Sequence, residues 1–136
     1  MSYLLDTNVI SEIIKAEPHP NVVAWFKSLN MSMFFLSVLT LGEIRKGVEK
    51  LPDSKKRQFI TNWLEMHLPQ AFLGRIVDID SAICDKWGFI SAKSTIPAVD
   101  GLIAASALVH NHKLVTRNLK DFINIPGLEL FNPWDA

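Results

Sequence analysis

Short apolar runs alternate with amphipathic segments along this chain, and that alternation restricts the possible folds more than any other feature of the sequence. Five runs are rich in aliphatic and β-branched residues and are short enough to be buried strands: 3–5, 33–36, 75–79, 114–116 and 129–131. Segments with apolar positions at helical spacing separate them. We therefore expect an α/β fold, with a central parallel sheet of four or five strands and helices on both faces.

Capping residues and prolines give the expected limits of the helices. The predicted helices follow Thr7-Asn8, cover 21–29, carry Glu43, cover 55–68 and 82–93, and begin at 97–100. Pro18 and Pro20 should end the first of them. Ser37 or Thr40 should cap the helix that carries Glu43, and Asp80 should cap the helix that follows it.

Composition indicates a single globular domain covering residues 1–136. Hydrophobic residues make up 49% and charged residues 21%, and no repeat or linker divides the chain. Lys and Arg together number 14, as do Asp and Glu, so the chain has no overall positive field for nucleic acid. A polyanionic ligand would therefore need metal ions or a local cationic patch.

Cysteine content and the N-terminal sequence indicate the cellular compartment. Cys84 is the only cysteine, which excludes an internal disulfide and fits a reducing cytoplasm. Asp6 interrupts the first apolar run, so a signal peptide is not expected, and no apolar run is long enough to cross a bilayer. We expect a cytoplasmic protein that does not interact with membranes.

Four acidic residues fall at equivalent places in this pattern. Asp6 ends the first strand, Glu43 lies in the helix after the second, Asp100 opens a helix and Asp121 follows the fourth strand. A single Asp at a helix start is more often an N-cap than a ligand. Four acids at one edge of a sheet would repel one another by about 4 kcal/mol per pair at 4 Å. Divalent cations that prefer hard oxygen ligands, Mg²⁺ or Mn²⁺, could occupy such a cluster and activate a water against a phosphodiester.

Polar and basic residues accompany these acids. Thr7, Thr116 and Asn118 could orient the carboxylates or metal-bound water. Five basic residues could contact phosphates: Arg45, Lys46, Lys93, Arg117 and Lys120. The pair His110 and His112 has no third ligand nearby and indicates a solvated turn rather than a metal site.

Five segments resemble those of PIN-domain ribonucleases, in the same order along nearly the whole chain. They are LLDTNVI (4–10), LTLGEIRKG (39–47), DGLIAA (100–105), LVTRNLKDF (114–122) and the closing NPW (132–134). This combination is also similar to VapC-like toxins of bacterial toxin–antitoxin pairs. The region 75–93 matches only loosely.

The resemblance implies a PIN-like α/β/α sandwich and an endoribonuclease that depends on Mg²⁺ or Mn²⁺. By matching motif positions, Asp6, Glu43, Asp100 and Asp121 would be the catalytic, metal-binding acids, and Thr7, Thr116 and Asn118 would support them. Asp121 corresponds to the fourth acid, which is the least constant of the four in the family. The resemblance also implies an RNA substrate, inhibition by a cognate antitoxin in a hetero-oligomer, and a homodimer.

Two other classes of function stay open on the sequence. The first is a PIN-shaped module that binds RNA or protein without catalysis. The second is a phosphate-transfer or receiver-like protein with Asp6 as phospho-acceptor. The absence of a second Asp two residues after Asp6 and of a glycine-rich phosphate loop argues against the second class.

Overall fold

Five parallel strands form one sheet in the computed structural model, which describes all 136 residues. The strands are β1 (Tyr3–Leu5), β2 (Phe34–Ser37), β3 (Ile76–Val77), β4 (Lys113–Val115) and β5 (Leu130–Phe131). Their order is β3-β2-β1-β4-β5, with all neighbours parallel. The predicted α/β class and parallel sheet are confirmed. The chain leaves β1 toward β2 on one side and returns to β4 on the other, so a crevice opens beyond the carboxyl ends of β1 and β4.

Seven helices connect and cover the strands. They are α1 (Thr7–Ile13), α2 (Pro20–Lys27), α3 (Val38–Glu49), α4 (Lys55–Asn62), α5 (Leu68–Ala71), α6 (Ser81–Ala92) and α7 (Ala98–His110). Asp80 caps α6 as predicted, and of the two candidates for the cap of α3, Ser37 caps it while Thr40 lies inside the helix. None of these helices has the length and apolar character needed to cross a membrane.

The two faces of the sheet bury different sets of side chains, because successive residues of a strand point to opposite sides. Leu5, Phe34 and Val115 pack with α1–α5, and the ring of Phe26 stacks on Phe34 with centroids 4.6 Å apart. On the other face Leu4 and Leu114 pack with α6 and α7. The four aromatic residues at helical spacing, Trp25, Phe26, Trp63 and Trp87, all pack against these two cores. The expected sandwich of helices on both faces is therefore present.

The prediction of one continuous α-helix over residues 55–68 was wrong. The α-helix ends at Asn62, a π-helical turn follows at Trp63–His67, and α5 continues to Ala71. Pro69 explains the change, since proline lacks the N–H of a regular turn and its ring clashes with the carbonyl four residues earlier.

Other predicted limits also need correction. Pro20 does not end a helix but begins α2, where its missing N–H costs nothing, and α2 stops at Lys27. The predicted strand 75–79 contains only Ile76 and Val77, because this edge strand pairs with β2 alone. Met33 belongs to a 3₁₀ turn, which the side chain of Asn30 caps, and β2 begins one residue later.

Candidate active site

The carboxylate of Asp6 lies at the crevice beyond β1. Asp6 caps α1, with Oδ1 accepting a hydrogen bond from the backbone N–H of Thr7 at 2.8 Å. Its own backbone N–H donates to the carbonyl of Val115 at 2.9 Å, which continues the pairing of β1 with β4. The residue is only 6% exposed. Asp6 is therefore both an N-cap and a buried carboxylate at the predicted ligand-binding edge.

Thr116 fixes the second oxygen of Asp6. Its fully buried hydroxyl donates to Oδ2 at 2.8 Å. The same hydroxyl oxygen accepts from the backbone N–H of Asn118 at 3.1 Å and from Nδ2 of Asn8 at 3.3 Å. Nδ2 of Asn8 also lies 3.4 Å from Oδ2 of Asp6, a long contact. These bonds leave little freedom for the Asp6 carboxylate to rotate.

Glu43 reaches the same crevice from α3. Ser37 ends β2 and caps α3, so the helix starts at the carboxyl edge of the sheet and carries Glu43 toward β1. The hydroxyl of Thr7 donates to Oε1 of Glu43 at 2.6 Å, and the hydroxyl of buried Thr40 lies 3.0 Å from that of Thr7. Thr7 thus connects the Glu43 side chain to the first turn of α1.

Asp100 enters from the opposite face, in the first turn of α7. Its side chain accepts no hydrogen bond from the protein and pairs with no basic residue, and neither does that of Asp121 in the 3₁₀ turn Leu119–Asp121. α7 comes very close to α6 here, because a Cβ on Gly101 would lie 3.0 Å from Cδ1 of Trp87. The absence of a side chain at Gly101 therefore sets the position of Asp100.

The proximity of these acids changes their acidity. Burial raises the pKa of Asp6 to about 6, although the hydrogen bonds that it accepts lower it. The pKa of Asp100 is also raised, first by burial and then by the charges of Glu43 and Asp121. No ion pair involves any of the four acids. The crevice therefore gathers negative charge that no basic side chain neutralises by a direct ion pair.

A cavity of about 430 Å³ contains three of the four predicted acids. Its lining comprises Asp6, Thr7, Asn8, Ser11, Glu12, Lys15, Glu43, Asp100, Arg117, Asn118 and Trp134. We call it the acid pocket. Asp121 does not line it, and its connection to the site is its effect on the pKa of Asp100. Thr116 lies behind the wall, where it holds Asp6.

The five basic residues predicted to contact phosphates occupy different places. Arg117 lines the acid pocket, and Lys46 lines a neighbouring groove that shares Glu43. Arg45 pairs with Glu65 at 2.6 Å, and neither Lys93 nor Lys120 lines the acid pocket. Their contacts with RNA stay predictions.

The donor set of the acid pocket fits a hydrated divalent ion. No three His, Cys, Asp or Glu side chains are arranged so that they could hold a metal ion among themselves. Mg²⁺, however, keeps several waters and is usually bound through one or two carboxylates. Asp100 has both oxygens free of protein hydrogen bonds, and Asp6 presents an oriented carboxylate nearby. Hard oxygen donors without a compensating cation are the chemistry that Mg²⁺ and Mn²⁺ prefer.

Sequence reasoning missed Asn8, which links three parts of the site. Besides its bond to Thr116, its Oδ1 accepts the backbone N–H of Arg117 at 3.3 Å. Its place directly after Asp6 and Thr7, in a helix start rich in polar residues, was the available signal. Both His110 and His112 were expected in a solvated turn. His110 is exposed, but His112 is half-buried and its ring stacks on Phe35 with centroids 4.4 Å apart.

Comparison with known proteins gives consistent similarities along the chain. The family described as "PIN domain" matches residues 3–128. VapC ribonuclease Y4jK of Sinorhizobium fredii is 35% identical over 137 residues, covering 97% of each chain. Toxin FitB of Neisseria gonorrhoeae is 37% identical over 136 residues, covering 96% of this chain and 97% of FitB.

Solved structures give the same result. The crystal structure of FitAcB from Neisseria gonorrhoeae superimposes with a TM-score of 0.89 at 36% identity, covering 98% of this chain and 99% of that one. VapBC2 from Rickettsia felis, bound to a DNA fragment from its promoter, gives a TM-score of 0.77 at 30% identity, covering 97% and 98%.

Proposed function

The chain belongs to the PIN-domain family, and from that premise we propose that it is a metal-dependent endoribonuclease and the toxin of a toxin–antitoxin pair. The observation that carries the proposal is the acid pocket. Asp6, Glu43 and Asp100 come from three separate elements to one cavity, with no basic residue paired to any of them. Such an arrangement costs stability unless a cation occupies it.

We propose that Mg²⁺ or Mn²⁺ binds at Asp6 and Asp100, with Glu43 and Asp121 completing the negative field. A bound divalent ion would activate a water and stabilise charge on the phosphodiester. The hydrogen bonds of Asp6 with Thr7 and Thr116 support its assignment, because they orient an oxygen before a ligand arrives.

The remaining pocket residues would organise the substrate. Thr7 holds Glu43 through a 2.6 Å hydrogen bond, so this carboxylate can accept a proton or orient a water at a defined place. Asn118 lines the pocket, and its backbone N–H donates to the hydroxyl oxygen of Thr116. Trp134 is the single apolar lining residue. The chemistry supported is hydrolysis of an RNA phosphodiester bond.

An apolar groove supports the assignment of an antitoxin partner. It is continuous with the acid pocket, sharing Thr7, Ser11, Lys15 and Glu43. Seven of its fourteen lining residues are hydrophobic: Ile14, Ala16, Ile44, Val48, Leu51, Phe59 and Ile60. An amphipathic segment of an antitoxin seated there would cover apolar surface and reach the acids. We expect the antitoxin to be encoded by a small open reading frame beside the gene of this protein.

Three further assignments belong to the same proposal. We propose a homodimer, which the resemblance to VapC-like toxins implies; the exposed apolar side chains of Met66, Phe89 and Ile123 are candidates for its contacts. We propose that residues 1–136 act as one domain, since the elements that carry the four acids are all arranged around one sheet. The cytoplasm is the proposed compartment, because free Cys84 suits a reducing environment.

RNA cleavage in the presence of Mg²⁺ or Mn²⁺ tests the proposal. The purified protein should cut a mixed RNA preparation, and excess EDTA should stop the reaction. Asp6→Asn and Asp100→Asn should each reduce the rate by at least about a hundredfold, because each removes a charge that holds the ion. Asp53→Asn, at an exposed position away from the pocket, is the matched control and should cleave at the wild-type rate.

A folded wild type that binds RNA but cleaves none with either ion would refute catalysis and leave the non-catalytic binding module as the function. Calorimetric titration of Mn²⁺ separates the two possibilities before any substrate is chosen. Binding that Asp6→Asn abolishes supports the metal site. If Asp6→Asn binds Mn²⁺ as tightly as wild type, Asp6 is not a ligand of the ion.

A further inference from the structure

The acid pocket contains two cationic side chains, although its chemistry is dominated by acids. Lys15 and Arg117 both line it, and the sequence patterns had pointed only to Arg117. A polynucleotide phosphate that enters this pocket meets the negative charges of Asp6, Glu43 and Asp100. The proposed divalent ion would offset these charges at the cleaved phosphate, and a further phosphate of the same strand would need a basic side chain.

The buried carboxylate of Glu12 holds Lys15 in place. The Glu12 side chain is 8% exposed, with Oε1 accepting from Nζ of Lys15 at 2.8 Å and Oε2 accepting from the backbone N–H of His19 at 2.9 Å. The hydrogen bond from Lys15 lowers the pKa of Glu12, and the charge of Arg117 acts in the same direction. Glu12 is therefore an ionised anchor for the ammonium group and close enough to Arg117 to attract it.

Arg117 is fixed by its backbone and by an aromatic ring. Its N–H donates to Oδ1 of Asn8 at 3.3 Å, and its carbonyl lies 3.4 Å from Nδ2 of Asn132. The guanidinium carbon lies 5.2 Å from the ring centroid of Trp134, within the range of a cation–π contact. The guanidinium donates no hydrogen bond to the protein and forms no ion pair, so its donors are free for a ligand.

The ammonium group of Lys15 also has N–H donors that the protein does not use. An ammonium group has three N–H donors, and Glu12 uses one of them. Lys15 follows the far end of α1, whose seven residues span about 10 Å from Asp6. Because Glu12 holds the ammonium group near this end of α1, a phosphate bound to Lys15 would be a neighbour of the one beside Asp6.

We propose that Lys15 and Arg117 together bind an RNA phosphate adjacent to the one that is cleaved, and that Glu12 is the positioning residue for Lys15. This inference rests on the proposed function and adds the direction of the substrate strand, which runs from the acids along α1 toward Trp134. None of the other four predicted cations lines the acid pocket: Arg45, Lys46, Lys93 and Lys120.

The salt dependence of RNA binding tests the inference. The probe is a fluorescein-labelled single-stranded oligoribonucleotide, measured by anisotropy in an Asp100→Asn background so that it is not cut. Lys15→Gln and Arg117→Gln should each reduce the slope of log K against log salt by about 0.7, the value for one lost phosphate contact on a single strand. With the wild-type acids, each should raise KM for RNA about tenfold and leave kcat within about twofold.

Matched variants distinguish phosphate contact from a structural role. Lys15→Arg and Arg117→Lys retain the charge and should keep the wild-type slope. Lys113→Gln removes a lysine at the opposite end of the sheet, 4.0 Å from Glu129, and should also leave the slope unchanged. Mn²⁺ binding should be the same in all of these single variants.

Two different failures can be told apart. If wild type cleaves RNA while Lys15→Gln and Arg117→Gln keep its slope and KM, the inference is overturned and the proposed function stands. In that case the two cations serve a protein partner rather than the substrate. If wild type neither binds nor cleaves RNA, the proposed function fails and this inference fails with it.

Discussion

Thr116 donates a 2.8 Å hydrogen bond to Oδ2 of Asp6 across 110 residues of sequence. The bond joins the ends of the two central strands, β1 and β4, at the place where the sheet opens into the acid pocket. Its donor is fully buried and its acceptor nearly so. This pair therefore affects both the stability of the sheet and the acidity of the carboxylate.

Replacing Thr116 by Val should destabilise the protein and weaken metal binding. Asp6 loses a donor, and the N–H groups of Asn118 and Asn8 lose an acceptor, which should cost about 1–3 kcal/mol of unfolding free energy. The pKa of Asp6 should also rise further, because that hydrogen bond lowers it. Urea denaturation and Mn²⁺ calorimetry measure the two effects. Thr116→Ser retains the hydroxyl and should stay close to wild type, so equal losses in both variants would contradict this account.

The metal-free protein should lose stability as the pH rises through the range in which Asp6 ionises. Burial raises its pKa to about 6 in the folded state, while an unfolded Asp titrates near 3.8. The folded state therefore favours the protonated acid, and the penalty is absent below about pH 4 and complete above about pH 7. A shift of this size corresponds to about 3 kcal/mol.

Comparison with Asp6→Asn isolates this effect from other titrating groups. Thermal melts in EDTA should show wild type losing stability relative to the variant between pH 4 and pH 7. Adding Mg²⁺ should raise the wild-type melting temperature more at pH 7.5 than at pH 5. If the difference in melting temperature between the two proteins stays constant across this range, burial does not raise the pKa of Asp6.

Gly101→Ala should disturb Asp100 through helix packing. The new Cβ would lie 3.0 Å from Cδ1 and 3.2 Å from Nε1 of Trp87, so α7 or the indole must move, at a cost of about 1–3 kcal/mol. Mn²⁺ affinity should fall because the displaced turn carries Asp100. Gly42→Ala is the matched control: it also neighbours a pocket acid, Glu43, but a Cβ there meets nothing within 4 Å. It should be stabilising by up to about 1 kcal/mol.

Relief of the clash provides a second check. Nε1 of Trp87 is buried without a hydrogen-bond partner, so Trp87→Phe removes both bulk and an unsatisfied donor. The double variant Trp87→Phe with Gly101→Ala should recover metal affinity relative to Gly101→Ala alone. Recovery of neither affinity nor stability would indicate that the packing of α6 on α7 does not position Asp100.

Arg75→Ala should lower stability without changing the chemistry. Nη1 of Arg75 donates to the carbonyls of Met31 at 2.7 Å and Phe34 at 2.6 Å, and the guanidinium lies over the ring of Phe72 at 5.2 Å. Loss of these bonds should cost about 2–3 kcal/mol in urea denaturation. At low temperature kcat should match wild type. Arg45→Ala, which removes only exposed ion pairs, should lower stability much less than Arg75→Ala does.

The parts of the site that the sequence predicted depend on local rules. Asp6 and Thr116 follow strands, and the carboxyl ends of parallel strands meet at one edge, so the order of elements was enough to bring them together. Capping residues likewise limited the start of the helix that carries Glu43 to Ser37 or Thr40, and the structure shows that it is Ser37. Each of these positions follows from residues within one turn or strand.

The parts that the sequence did not predict depend on packing between distant segments. The roles of Glu12 and Lys15 arise because the end of α1 meets Arg117 and Trp134 at the pocket wall, and no periodicity encodes that contact. Asp121 was expected among the ligands, but its 3₁₀ turn leaves it outside the lining. The π turn at Trp63–His67 results from Pro69 acting on residues before it.

The central position of β1 has a consequence for how this protein is made. β1 is synthesised first, yet one of its two neighbours, β4, comes from the last quarter of the chain, and Thr116 must follow it before Asp6 is secured. The hydrogen bond from Nδ2 of Asn21 in α2 to the carbonyl of Trp134, 113 residues away, forms later still. An emerging chain therefore passes most of its synthesis without an assembled nuclease site. We therefore expect a growing chain to lack ribonuclease activity until β4 has paired with β1 and Thr116 has bonded to Asp6.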